Sequence, residues 1–290
     1  MLLASFLAAR PATSSAQSQT TATPNTAWQQ AAGTSLSFEV ASVRPDPGPF
    51  HPPSFALSAD DWFREPSGRF HADFKLLTYV EFAYKVWLTP HEEAVILDQL
   101  PGWVKTDRFA IEATAPLHAT KDQYRLMMQA LLAERFGLKL HFEQKEQPAL
   151  AMVLIKPGKP GPRLTPHEQG QPCDEKPVAP TFPFECYGFS ARLDKDGRWI
   201  TGSRATSMDL IANFIGSMAG NSEEVSRRVV DQTGLTGQWD FTLLDPPPGQ
   251  AQAGSTKLQS VQDQLGIKLK ATRATISLPV IDYVQRPTDN

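Results

Sequence analysis

The stretch VVDQTGLTGQWDFTLL, residues 229–244, has a worn counterpart in ILDQLPGWVKTDRFAIEA, residues 96–113. Both run from β-branched or apolar residues through Asp-Gln and a glycine-containing turn to a strand-like run opening on Phe241 or Phe109. Their surroundings correspond too. Each is followed by a helical pattern that breaks at glycine into Leu138-Lys139-Leu140 or Ile267-Lys268-Leu269. Self-similarity of this kind implies one scaffold used twice.

Working outward, the patterning predicts an α+β protein of two similar β-α-β-α-β-β units, each a small sheet with helices on one face. The first unit, 36–156, opens on the alternating strand Phe38-Glu39-Val40-Ala41-Ser42-Val43, stopped by Arg44-Pro45. Arg69-Phe70-His71 reads as a second strand, and Leu76, Val80, Ala83, Tyr84 and Trp87 as a helix ended at Thr89-Pro90. Thr120 and Gln123 form a capping-box pattern ahead of Met127, Met128, Leu131, Leu132 and Phe136, and Gly137 stops that helix. Two closing strands are expected on either side of Gln147-Pro148.

Residues 157–196 are expected to be a Pro-rich linker, with eight prolines between 157 and 186. The second unit, 197–290, repeats the order. Met208, Ile211, Ala212 and Ile215 mark its first helix, and Thr256 and Gln259 cap the second, which Gly266 ends. Closing strands are expected at residues 267–271 and 276–284. Thr120 to Gly137 spans seven residues more than Thr256 to Gly266. Seven residues are about two helical turns, so the apolar face stays toward the core.

Composition describes a globular chain, with 41% hydrophobic and 20% charged residues. A net charge of −3, with no Lys/Arg run, makes no case for nucleic acid. Met1 to Ala9 is apolar but only about half a membrane span long. Small residues at Ser14-Ser15-Ala16 follow, so residues 1–16 are expected to be a signal peptide and 17–35 a disordered leader. No later stretch could span a membrane, and the mature chain is expected in the periplasm or outside the cell. Cys173 and Cys186 fit that location, and a disulfide between them would stabilise the fold by about 3 kcal/mol.

The search for chemistry yields no complete motif. His91-Glu92-Glu93 begins like a zinc-peptidase helix, but Val95 stands where the second histidine belongs, so a loop is expected there. His51, His71, His118, His141 and His167 show no i,i+4 pairing, and none lies in the second unit. Gly216-Ser217-Met218-Ala219-Gly220 places its serine one position early for a nucleophile elbow. Pro157-Gly158-Lys159-Pro160-Gly161 lacks the amide donors of a phosphate cradle. Cys173 and Cys186 have no evident activating neighbour. Asp98 and Asp231 occupy matching positions ahead of a turn, a usual place for a structural acid. Arg227-Arg228 suggests surface ion contacts. Trp87, Trp103 and Trp239 are the candidates for a binding groove, although core packing suits each as well. No catalytic, cofactor or metal residue is assigned.

Taken together, FEVASVRP, Ala83-Tyr84, LPGWVKTDRFAIEA, MMQALLAERFGLKLHFEQKE, VVDQTGLTGQWDF and VIDYVQRPTDN resemble an uncharacterised soil-associated family of exported bacterial proteins. The same module resembles one sometimes found attached to antibiotic-sensor membrane peptidases. The resemblance runs from about Phe38 to Asn290 and brings no catalytic residues with it. Gln238-Trp239-Asp240 departs from it, standing where the family tends to have tyrosine before Asp-Phe. The helix-glycine-strand endings are also similar to small contact domains of secretins and TonB-dependent receptors, a likeness of fold alone. The function expected is an exported, non-enzymatic binding or interaction module of the cell envelope, its partner an envelope protein or a small ligand. The alternatives are a hydrolase with a non-standard site and a ligand-sensing domain for a membrane partner.

Overall fold

The computed structural model describes residues 27–33, 36–169, 172–173, 182–183, 185–218, 227–246 and 255–287. The signal-peptide expectation, and the leader as far as residue 26, lie outside the described residues. Within the expected leader a helix forms: α1 (Ala27–Ala32) rests on the first half through Trp28, whose ring lies 5.9 Å from both Lys85 Nζ and the Arg125 guanidinium. A tryptophan over two cations gives this polar tract an anchor that its composition hides.

The first half comprises β1 (Val40–Pro45), β2 (Arg69–Lys75), α2 (Leu76–Ala83), α3 (Pro90–Leu97), α4 (Gly102–Thr106), β3 (Arg108–Thr114), α5 (Lys121–Phe136) and β4 (Lys139–Leu154). The three short strands form an antiparallel sheet in the order β1-β3-β2. The capping box of α5 forms as expected between Thr120 and Gln123. Where a loop was expected at His91-Glu92-Glu93, the chain makes α3. Thr89 accepts from the Glu92 N–H, Glu92 reaches back to the Thr89 N–H, and Pro90 fills the first turn. A proline at that position starts a helix, because its missing N–H has no partner there anyway.

The rest of the chain comprises β5 (Leu164–Pro166), β6 (Ser190–Leu193), β7 (Trp199–Thr206), α6 (Met208–Met218), β8 (Arg228–Asp231), β9 (Trp239–Leu244), α7 (Ser255–Leu265) and β10 (Ile267–Tyr283). The Thr256 side chain lies outside what the structure describes. The stretches that correspond in sequence differ locally: residues 96 and 97 end helix α3, whereas Val229 and Val230 belong to strand β8. The Pro-rich 157–196 segment departs from a plain linker, since β5 and β6 flank the antiparallel sheet β5-β9-β7-β6. As edge strands they tolerate proline: Pro166 sits at the end of β5.

The fold is α+β, and it differs from the expected pattern at the close of each half. Each expected pair of closing strands is one long strand, and the two long strands pair with each other antiparallel, from Ile267↔Leu154 to Tyr283↔Lys139. Pro148 does not break β4. Met152 accepts from Gln232 N–H, so even-numbered residues of β4 turn their backbone toward β8, and β8 begins its pairing only at Ala149. The proline's missing donor falls just before the third strand arrives.

By the same alternation, odd-numbered residues of β10 face its open edge, among them Pro279. A strand added there would lack one donor. Close by, Val95 and Ile96 of α3 line a groove with Leu278 and Val280 of β10 and with Lys145 and Gln147 of β4.

Two cores result. The first gathers Phe70, Tyr79, Phe82, Phe109, Tyr124, Leu131 and Phe136, and takes Leu278 from β10. The second gathers Ile211, Ile215, Val229, Trp239, Phe241 and Leu265, and takes Leu150, Met152 and Leu154 from β4. Each long strand thus starts in its own half and ends in the core of the other.

Candidate functional site: the cleft between the halves

The crossing strands leave a cleft of about 610 Å³ between the two halves. Helix α2 ends at Tyr84, and Lys85 takes a left-handed backbone (φ 54°) that turns the chain out of the helix. The turn delivers Tyr84, Lys85 and Trp87 to one wall. Leu140 and Phe142 of β4 line the cleft beside them, with Tyr84 and Phe142 ring centroids 6.2 Å apart. Helix α6 supplies Asp209 and Asn213 from the other half, and Trp28 of α1 closes one end.

Charge in the cleft is held by a buried network. Arg125 is fully buried and donates to Asp61, Asp122 and the carbonyls of Ser58 and Asp60. Lys121, also buried, donates to Ser58, to the Asp60 side chain and to the carbonyls of Asp60 and Trp62. These two cations pin the 58–62 loop that forms the rim. Lys85 reaches Asp61 at 2.6 Å. Burial pushes the Asp61 carboxyl upward, but its hydrogen bond to Lys85 and the charges of Lys85 and Arg125 outweigh that and hold it below the usual range. Asp209 is pushed upward, chiefly by burial and then by the charge of Asp231.

Arg228 reaches the cleft from β8, and it is not the surface arginine its sequence suggested. Its Nη2 lies 2.5 Å from Glu92 Oε2 of α3, and Gln147 donates to the same carboxylate. Glu92 is buried. The pair joins the two halves behind the cleft.

The three tryptophans do not converge. Trp87 lines the cleft. Trp103 packs against the first core, with its ring 5.8 Å from Phe109 and the Arg286 guanidinium 5.5 Å away. Trp239 is buried in the second core and donates to the Thr236 carbonyl.

Most polar candidates have local partners. Asp98 pairs with Lys105 at 2.5 Å. Asp231 accepts from the N–H and hydroxyl of Thr233, closing a turn. His71 faces Glu112 and His118 faces Glu65, each at 3.8 Å. His141, on the surface, lies between Asp282 at 3.0 Å and Glu143 at 3.4 Å, and these hydrogen bonds raise its pKa. His91 lines the small groove under α3. Ser217 donates to the Phe214 carbonyl.

Two arrangements escaped the sequence reading. Ligand atoms of Asp46, His51 and Asp73 lie within 4.8 Å of one another. Asp73 is fully buried, and Arg108 Nη1 stands 3.4 Å from its carboxylate. That guanidinium supplies the positive charge a metal would bring. The second arrangement joins His167, Asp240 and Cys173. His167 Nδ1 is 2.7 Å from Asp240, and its Nε2 is 3.6 Å from Cys173 Sγ. Cys173 and Cys186 themselves lie at disulfide distance, with Cα atoms 6.0 Å apart. No local pattern pointed to the histidine, because His167 and Asp240 are 73 residues apart.

The chain belongs to the family described as a protein of unknown function (DUF3738), whose pattern matches residues 77–284. The match starts within α2 and ends just after β10, so it spans the cleft walls and both long strands. No curated protein and no solved structure matches the chain. Among the described residues, no helix is long and apolar enough to cross a membrane.

Proposed function

We propose that this chain is an exported binding module of the cell envelope that takes a small ligand or a segment of an envelope protein in the cleft between its halves. The observation that carries this reading is the make-up of the cleft. Tyr84, Trp87 and Phe142 offer an aromatic surface, while Lys85, Asp61, Asp209 and Asn213 ring it with polar groups on both sides. A concave site with an apolar body and a few convergent polar groups suits a ligand with an apolar or aromatic core and a polar end. Export is supported by the apolar start at Met1 to Ala9 and by two cysteines at disulfide distance.

The test uses an aromatic fluorophore carrying a sulfonate, 8-anilinonaphthalene-1-sulfonate, as a probe of the purified mature chain. We expect one equivalent to bind with a blue shift. Trp87→Ala or Phe142→Ala should weaken binding roughly tenfold or more, as truncating a buried aromatic contact does. Trp103→Phe, away from the cleft, should leave it unchanged. Unaltered affinity in both cleft variants would remove the reading.

A further inference from the structure

The second sheet brings together three groups from distant parts of the chain. Asp240 lies on β9, paired with Thr165 of β5, and His167 follows directly on β5. The His167 N–H is tied to the Gln238 carbonyl at 2.9 Å. Both side chains are largely buried, 17% and 15% exposed, and joined at 2.7 Å. Asp240 also accepts from the Ala205 N–H at 2.9 Å. That donor is aimed by an irregularity in β7, where Ala205 holds a left-handed φ of 50° and the register shifts between Ser203 and Thr206. Alanine in that region is strained, and such strain concentrates at functional sites.

With Nδ1 engaged by the carboxylate, the other ring nitrogen, Nε2, faces Cys173 Sγ at 3.6 Å. Cys186, the other half of the pair, is laid against β7 by a bridge to Arg204 and carries no such neighbour among the described residues. A groove of about 700 Å³, lined by Thr165, Pro183, Arg204 and Asp240, opens beside the dyad.

We propose that Cys173–Cys186 is a redox-active disulfide, with His167 the acid–base partner of Cys173 and Asp240 the residue that positions it. The substrate class is a dithiol. A substrate thiolate attacks Cys186 Sγ and the Cys173–Cys186 bond breaks. Cys173 leaves as a thiolate and takes a proton from His167 Nε2. The substrate's second thiolate then displaces Cys186, releasing oxidised substrate and leaving both cysteines reduced. Two electrons pass from the dithiol to the protein disulfide. The direction of attack follows from the asymmetry of the pair, since the sulfur beside an imidazolium is the better leaving group. This site is separate from the cleft and does not depend on it.

The test isolates each thiol in the full chain. In Cys186→Ser, Cys173 is the only thiol, and its iodoacetamide alkylation should reach half its maximal rate below pH ~7.5, against ~8.5 for an ordinary cysteine. In Cys173→Ser, Cys186 should follow the ordinary profile. Adding His167→Ala to Cys186→Ser should return Cys173 to ~8.5, and Asp240→Asn, which keeps an acceptor for Ala205, should move it part of the way. In the wild-type chain, dithiothreitol should reduce the disulfide about a hundredfold faster or more than in His167→Ala, as acid–base assistance typically contributes. Should His167→Ala fail to fold, the comparison of the two single-cysteine variants still decides. Identical profiles for Cys173 and Cys186, or a Cys173 profile unmoved by a folded His167→Ala, would overturn the proposal.

Discussion

Glu146 of β4 lies directly opposite Thr275 of β10, and each stands nine residues beyond a left-handed glycine, Gly137 or Gly266. The long strands therefore run past one another on either side of this pair, and each contributes to both cores.

That pairing makes separate folding costly. A chain ending at Lys156 loses β10 along the whole of β4, together with β8 on residues 149–152. We expect the fragment 36–156 to show no cooperative urea transition by itself, and to regain one when mixed with 157–290. A cooperative transition of the lone fragment would show that the first half stands without its partner strand.

Glu92 and Arg228 form the ion pair that fastens the halves behind the cleft. Removing one charge leaves the other buried and uncompensated, a loss of about 3–5 kcal/mol. Glu92→Gln should approach that value in urea unfolding while keeping the α3 capping box, since glutamine can replace glutamate there. A loss below about 1 kcal/mol would place the pair effectively in water.

Glu81 gives the fold a pH dependence. Burial, and then the charge of Glu93, push its carboxyl from 4.5 up to about 7, against the pull of the Leu88 N–H and Arg228. The folded state holds this proton more tightly than the unfolded chain does. Its contribution is full below pH ~4.5 and is lost as pH rises through about 7. The span corresponds to roughly 3 kcal/mol. Glu81→Gln should flatten stability against pH between those limits, and a slope equal to that of wild type would exclude Glu81 as its source.

Leu131 and Leu265 sit in the first and second cores, 4% and 0% exposed. Leu131→Ala should cost roughly 2–5 kcal/mol in denaturant unfolding. A change under about 1 kcal/mol would mean that the core relaxes around the gap.

Much of the local structure was legible in the chain. The Thr120–Gln123 box, the glycine stops at 137 and 266, and the apolar spacing of Met208, Ile211 and Ile215 each act within a few residues, so a short window carries the whole signal. The misreadings were local as well. Thr89-Pro90 reads both as the end of one helix and as the start of another, and only the reciprocal bond to Glu92 distinguishes them. Pro148 looks like a turn because its tolerance depends on where the neighbouring strand begins.

The sequence by itself determined many of the helices and strands and where several of them stop, because hydrophobic period, caps and glycine conformations are properties of neighbouring residues; α1, α3, β5 and β6 were not among them. The tertiary structure decided that β4 and β10 pair with each other and that Arg228 is a buried clasp. It also placed Trp87 apart from Trp103 and Trp239, and set His167 between Asp240 and Cys173. Those outcomes join residues far apart in sequence: Arg228 and Glu92 are 136 positions apart, and the β4–β10 pairing reaches from Lys139 to Tyr283. Such contacts are selected by the burial and charge compensation of the whole fold, and no short stretch of sequence carries that information.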